Sequence, residues 1–262
     1  MRNRYFILYG IIALFLVIFQ LFACSDSDSF SYSESYGQGG SMARFTVSGD
    51  YMYTVQYETM KVFDLSIPKE PVYLENKDQY LRFGAETIFT MDTLLFIGSQ
   101  DGMYIYNITR PDFPQQIGQA HHITSCDPVV AQGNYAFVTL NTANSWCGRN
   151  TNMLQVYDIS NPYSPQLKTT VESPLQSPKG LGVDGEKLFI CDAGIKVFDI
   201  SDPEKPVWID DLGHISEIGN IETYDIIPLG EILLIIGNDG LYQVDYTGEQ
   251  LEFISKIEVN RE

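Results

Sequence analysis

The sequence is poor in the residue types that most reactive sites are built from. Its 262 residues hold 3 histidines, 2 tryptophans and 4 cysteines. Its 16 basic side chains face 34 acidic ones, a net charge of −18. So little basic surface argues against nucleic acid and against direct adsorption on anionic lipid headgroups. No G-x-S-x-G, P-loop or dinucleotide fingerprint is present, so the common nucleophile and nucleotide frameworks are missing. No cofactor is implied. Past the first two dozen residues no segment has a convincing helical period, which leaves strands and turns.

The amino terminus is the exception to this polarity. Arg2 and Arg4 precede an apolar run from Tyr5 to Ala23, broken only by Gly10 and Gln20. A basic start, an apolar middle and small residues near a cut site are the grammar of a secretory signal. An uncleaved anchor helix is the alternative, since the run is nearly long enough to span a bilayer. Leu21-Phe22-Ala23-Cys24 resembles the lipobox of bacterial lipoproteins. That resemblance implies cleavage after residue 23 and acylation of Cys24. Several acyl chains exceed the two signals that stable anchoring needs. After cleavage 34 acids would face 14 basic residues.

Residues 24–41 read as a tether. Ser25 to Ser41 contains seven Ser, three acids and no aliphatic residue, too little to bury a core. Its reach as a coil is roughly 23 Å. Cys24-Ser25-Asp26-Ser27-Asp28 is similar to the acid-rich signal that sends some lipoproteins of Bacteroidetes-type Gram-negative bacteria to the outer face of the outer membrane. Phe30, Tyr32 and Tyr36 alternate with Ser, and that period of two is also compatible with an extra strand.

Residues 42–262 are organised by one phrase in five copies. It begins at Lys61 (K-V-F-D-L-S-I-P-K-E-P-V), Tyr104, Gln155, Lys196 (K-V-F-D-I-S-D-P-E-K-P-V) and, in worn form, Tyr242. Its acid or amide falls at Asp64, Asn107, Asp158, Asp199 and Asp245, at spacings of 43, 51, 41 and 46 residues. A period in the forties means a solenoid, propeller or array. In the fourth copy, strands are expected at Gly180–Val183, Lys187–Cys191, Ile195–Ile200 and Pro206–Asp210. Asp184-Gly185 is a hairpin signal between the first two. Equivalent turns fall at Ser48-Gly49-Asp50, Met91-Asp92, Gln132-Gly133-Asn134 and Gly230-Glu231. The second strands, such as Leu94–Ile97 and Ile232–Ile236, are apolar on both faces and so are expected to be buried on both. The Asp of the phrase is expected to bond the N–H two residues on. The second Pro opens a fourth strand, which places that strand at an edge.

Four-stranded antiparallel units at this period match a β-propeller. The phrase resembles the LVIVD repeat, a propeller family of bacterial surface and secreted proteins, over about Met42 to Val259. The resemblance implies a propeller outside the cytoplasm and implies no reaction. The fifth copy lacks Ser and both prolines. The expected fold is all-β: five blades, at about 42–83, 84–123, 124–176, 177–219 and 220–262, around a narrow channel. An open arc completed by a second copy is the alternative.

The candidate sites cluster on one face. Cys126 and Cys147 both belong to the third unit, and a disulfide between them is expected in an oxidising envelope. It would close a loop of about 20 residues, contributing about 3 kcal/mol. Cys191, on a second strand, reads as a small buried apolar residue. His122 and His214 occupy equivalent places after two fourth strands. With His121 and the two cysteines, His122 supplies zinc donor types, but the spacing fits no known site and no metal is expected. Trp146 and Arg149, in the long insert Asn141 to Asn152, are hot-spot residue types. Glu86, Asp127, Glu222 and Asp225 enter inner strands near Arg44 and Lys179. Five-bladed glycosidases resemble this plan, but a glycosidase needs two carboxylates at a defined separation, and these fall in different registers.

The expected protein is therefore a lipid-anchored, non-catalytic propeller on the cell surface. It would bind an unknown protein or glycan, with Trp146, Arg149, His122, His214, Asp127 and Asp225 as candidate binding residues. A periplasmic orientation, a carbohydrate-active enzyme and a structural subunit of an envelope complex are the alternatives.

Overall fold

In the computed structural model the described residues are 39–121, 128–141, 152–212, 217, 221–248 and 251–259. They contain no α-helix. A sheet of seven strands comes first: β1 (Phe45–Ser48), β2 (Tyr51–Asp64), β3 (Val72–Tyr73), β4 (Gln79–Met91), β5 (Leu94–Ser99), β6 (Gly102–Asn107) and β7 (Gln115–His121). Three four-stranded antiparallel sheets follow. They are β8 (Val129–Gln132) to β11 (Gln166–Val171), through β9 (Tyr135–Asn141) and β10 (Asn152–Asp158); β12 (Leu181–Asp184) to β15 (Val207–Asp211), through β13 (Lys187–Cys191) and β14 (Ile195–Asp199); and β16 (Thr223–Leu229) to β19 (Glu252–Glu258), through β17 (Ile232–Gly237) and β18 (Gly240–Asp245). In each of the three, chain order is spatial order.

The repeated phrase acts through local bonds that recur in all five copies. The N–H groups of Ser66, Thr109, Ser160, Ser201 and Thr247 donate to the side chain two residues earlier, at 2.7–2.9 Å. The hydrogen bonds to Ser66, Ser160 and Ser201 hold Asp64, Asp158 and Asp199 below the usual carboxylate range, and those to Thr247 do the same for Asp245. One residue past each acid or amide, a backbone N–H donates across to the residue that opens the second strand. The pairs are Leu65 to Asp50, Ile108 to Thr93, Ile159 to Asn134, Ile200 to Glu186 and Tyr246 to Glu231. The turn just before carries a positive φ each time, at Gly49, Asp92, Gly133, Gly185 and Gly230. Even the worn fifth copy keeps these features without its prolines.

The first unit departs from four separate strands. Asp50 and Leu65 are bonded on either side of β2, so β2 folds back on itself about Tyr57, whose φ is 50°. It thus supplies two of the expected strands without a break. The outer strand is split instead, with β3 pairing Phe63 and Asp64, and Gln79 and Tyr80 pairing Met60 and Thr59. A 3-10 turn at Glu75–Lys77 interrupts it. The far end of β4 then becomes the inner strand of the second unit, which fuses two units into one seven-stranded sheet. As expected from the prolines, β7, β11 and β15 lie outermost; so does β19, which has no proline before it, and all four carry exposed side chains.

Burial divides the sheets into covered and uncovered faces. One apolar cluster joins the first unit to the second through Tyr53, Val55, Met60, Leu95 and Ile97. A second fills the space from the second unit to the fourth, around Phe96, Phe137, Leu188 and Phe198. A third joins the fourth to the fifth through Phe189, Ile195, Leu233, Ile235 and Tyr242. Among the described residues no apolar cluster joins the fifth unit to the first. The remaining face of the fifth unit carries half-buried Leu234 and Leu241 and exposed Ile236 and Ile257. That of the first carries exposed Phe45 and half-buried Val47, Met52 and Phe63. The second strand Ile232–Ile236 is therefore not buried on both faces as its composition suggests. Its counterpart Leu95–Ile97 is wholly buried, because that strand has a neighbouring unit packed on each side.

Candidate functional site

Asp225 is the one candidate binding residue of the sequence that lies among the described residues. The structure puts it in a different role. It is 5 % exposed on inner strand β16, where a strap of the chain's own residues covers it. Ser41 Oγ donates to Asp225 Oδ1 at 2.9 Å, the Met42 N–H donates to Oδ2 at 3.1 Å and the Ile226 N–H donates to Oδ1 at 3.0 Å. Ser41 Oγ in turn accepts the Leu181 N–H of β12 at 2.7 Å. Burial pushes the Asp225 carboxyl up to about 6 against the pull of these donors. A Cβ on Gly40 or Gly180 would lie 2.0 or 2.3 Å from a carboxylate oxygen, so the approach needs glycine at both positions. Ser41, the last residue of the expected tether, is fully buried. The physical reason for the correction is simple: the strap supplies the donors that solvent would supply at an open channel mouth.

Of the other expected channel acids, Glu86 and Glu222 lie among the described residues, and each is engaged by a different partner. Glu222 is ion-paired with Lys179 at 2.6 Å, and Lys179 lies over the Tyr224 ring. Glu86 accepts a hydrogen bond from Gln100 at 2.9 Å. Asp225, the carboxyl with a strongly raised pKa, is sealed. Cys191 lies on β13 as a free, fully buried thiol, pushed up by burial and then by the Asp225 charge. His121 ends β7, with Nδ1 3.3 Å from the Asp101 carbonyl oxygen. Cys24, His122, Cys126, Asp127, Trp146, Cys147, Arg149 and His214 lie outside the described residues. Among the described residues no group of three or more metal-ligating side chains converges, and no helix is long and apolar enough to cross a membrane.

Two grooves that the sequence does not announce flank β7. The first, about 380 Å³, forms where β4 crosses from the first unit to the second. Tyr80 and Arg82 come from β4, Tyr104 and Tyr106 from β6, and Gln116 and Gln119 from β7. Phe83 stacks on Tyr104 at 3.5 Å between ring centroids and closes the floor. Tyr80 is 70 % exposed, and its hydroxyl donates to Glu58 at 3.2 Å. Tyr106 is 5 % exposed and makes no hydrogen bond among the described residues; burial raises its hydroxyl to about 12. Gln116 Nε2 donates to Gln119 Oε1 at 3.1 Å, and Gln119 reaches His121 at 2.9 Å. The second groove, about 410 Å³, shares Gln116 and Gln119 and is bounded by Tyr163, Ser164 and Pro165. Gly118 brings the two units together there, since a Cβ would lie 1.9 Å from the Pro162 carbonyl oxygen. The sequence signal was present but ambiguous. Tyr104 and Tyr106 fill the phrase positions of Lys196 and Phe198, which in the fourth unit are buried under the third.

Comparison with known proteins places the fold. The family model described as LVIVD repeat matches residues 125–173. No curated protein matches the chain in sequence. Several solved structures match in shape. Apo AztD from Citrobacter koseri superposes with a TM-score of 0.59 at 12 % identity, over 80 % of this chain and 60 % of that one. A functionally unknown protein from Desulfotomaculum acetoxidans gives 0.63 at 10 % identity, over 85 % and 71 %. The Pseudomonas aeruginosa periplasmic gluconolactonase PpgL gives 0.58 at 13 % identity, over 80 % and 68 %. The chain thus spans about 60 % of the length of AztD. At these identities the likeness speaks for the fold alone. With its recurrent Asx turns, its four-stranded antiparallel sheets and these neighbours, the chain carries an LVIVD repeat within a propeller-like, all-β fold.

Proposed function

We propose that this chain is a non-catalytic binding module: a five-bladed propeller, lipid-anchored through Cys24 to the outer membrane and facing outward, that presents its loop-rich face to a protein or glycan. The observation that carries this reading is the sealing of Asp225. A glycosidase working at the channel mouth needs an accessible carboxyl of raised pKa at a defined separation from a second one. Here the carboxyl with the strongly raised pKa is covered by Ser41 and Met42, and the neighbouring Glu222 is tied to Lys179. The five recurrences of the Asx bond and of the strand-opening bond support five blades. The lipobox and the Ser/Asp run support the anchor and its destination.

The likeness to PpgL makes a sugar-lactone hydrolase the rival. The full chain is expected to leave the spontaneous opening of glucono-1,5-lactone unaccelerated. Acceleration that disappears in Asp225→Asn would overturn the non-catalytic reading. For the anchor, Cys24→Ala is expected to move the protein from the membrane pellet to the soluble fraction. Protease added to intact cells is expected to remove the wild-type protein; protection until lysis would place it in the periplasm instead.

A further inference from the structure

We propose that the groove between Tyr80 and Gln119 is a binding site for a neutral oligosaccharide, continued by the second groove towards Tyr163; this rests on the binding-module reading and names its ligand class. The argument is by the chemistry of the lining. Tyr80, 70 % exposed, offers a flat ring to solvent at one end, and Tyr163, 66 % exposed, does so at the other. An exposed aromatic ring presents an apolar face beside a polar hydroxyl. The C–H face of a pyranose packs on such a ring while the sugar hydroxyls remain at its rim. Gln116 and Gln119 lie between the two tyrosines and line both grooves. Each side-chain amide has donors and an acceptor in one plane, a pattern that suits vicinal hydroxyls.

Two further groups narrow the class. Arg82 is exposed on the same wall and makes no ion pair among the described residues. A guanidinium there disfavours a cationic guest, so the four aromatic rings of the groove are not a cage for a quaternary ammonium. The net charge of −18 disfavours a polyanion. A neutral, polyhydroxylated guest satisfies both conditions. The Tyr106 hydroxyl points the same way. It belongs to a side chain that is 95 % buried, lines the groove and has no hydrogen-bond partner among the described residues. The oxygen itself is not sealed from solvent, and a sugar hydroxyl would take the place of the water that reaches it in the groove. The fixed geometry is already in place: Phe83 and Tyr104 are stacked with 6° between ring planes, and the Tyr104 hydroxyl is held by Asp101 at 3.0 Å. The floor therefore needs no rearrangement to receive a ligand, which preserves affinity.

The test is calorimetric titration of the full chain, in mild detergent, with hexasaccharides of five neutral backbones: β-1,4-glucan, α-1,4-glucan, β-1,4-mannan, β-1,4-xylan and β-1,4-galactan. At least one is expected to bind with a Kd in the micromolar to millimolar range. Tyr80→Ala is expected to weaken that binding at least tenfold and Arg82→Ala about fivefold. Tyr163→Ala is expected to weaken the hexasaccharide but leave the trisaccharide unchanged, because only a long chain spans both grooves. Tyr80, Arg82 and Tyr163 are exposed, and an unchanged unfolding midpoint confirms that each variant folds. No binding by any of the five, or binding indifferent to Tyr80→Ala, overturns the proposal. A protein partner captured on cells equally well by wild type and Tyr80→Ala would sink the groove while sparing the binding-module reading.

Discussion

Phe189→Ala is expected to cost about 4 kcal/mol of folding stability, while Leu234→Ala is expected to cost under about 1.5 kcal/mol. The two side chains occupy the same place in successive units, the fourth residue past the positive-φ turns at Gly185 and Gly230. Phe189 is fully buried in the cluster that joins the fourth unit to the fifth, and its ring meets that of Tyr246 edge-on at 5.4 Å. Removing it leaves a cavity between two sheets that cannot close without moving both. Leu234 faces the side of the fifth unit that, among the described residues, no apolar cluster covers. Its loss removes surface that is already half in water. Equilibrium unfolding in urea separates the two cases. Equal, large losses at both positions would mean that the fifth unit is covered in solution by something packed against Leu234.

Stability is expected to rise, not fall, as pH drops from about 6.5 towards 4. Asp225 ordinarily titrates near 3.8 and is pushed up to about 6 by burial. In the folded state it therefore keeps its proton at pH values where the unfolded chain has lost it. Ionising it within the fold costs about 3 kcal/mol at neutral pH, and acidification from 6 down to about 3.8 recovers that stability. The neighbouring groups modify this little over that window: the Cys191 thiol is pushed up and stays neutral, and Lys179 is already paired with Glu222. The opposite sign appears at lower pH. Asp64, Asp158, Asp199 and Asp245 are held low by their hydrogen bonds, and what they contribute disappears as they protonate below about 3.8. Stability should therefore peak near pH 4. Urea unfolding from pH 4 to pH 7.5 checks this. Asp225→Asn should flatten the limb between about 4 and 6.5, and identical profiles for the two proteins would refute the assignment.

What the sequence made legible was local, and what it hid was long-range. The phrase copies located the strands of the fourth unit to within a residue, and the side-chain bond from each Asp or Asn to the N–H two residues on is present in all five copies. Those features depend on a few consecutive residues. The uncovered face of Ile232–Ile236 was hidden because an apolar run specifies a strand that tolerates burial on both faces, not one that has neighbours on both. Asp225 looked like a solvent-facing acid because, apart from the adjacent Ile226 N–H, its donors are remote in sequence. Ser41 and Met42 are more than 180 residues away. The groove was hidden for a similar reason. Tyr80, Tyr106 and Gln119 belong to different strands, and only the crossing of β4 between units brings them to one wall.

The strap over Asp225 also sets where tension enters the molecule. Any pull on the chain upstream of Gly39 reaches the bonds of Ser41 and Met42 to β16, and of Ser41 to β12, before it reaches the first strand. The load is thereby carried at the inner ends of the fourth and fifth units, whose shared apolar cluster lies behind them. Strand β1 is relieved of it: Arg44 and Ala43 are already clamped through their carbonyls to Val55 and Ile88. A domain held by its amino terminus would be gripped at the inner strands β12 and β16, and its outer strands would be spared from peeling.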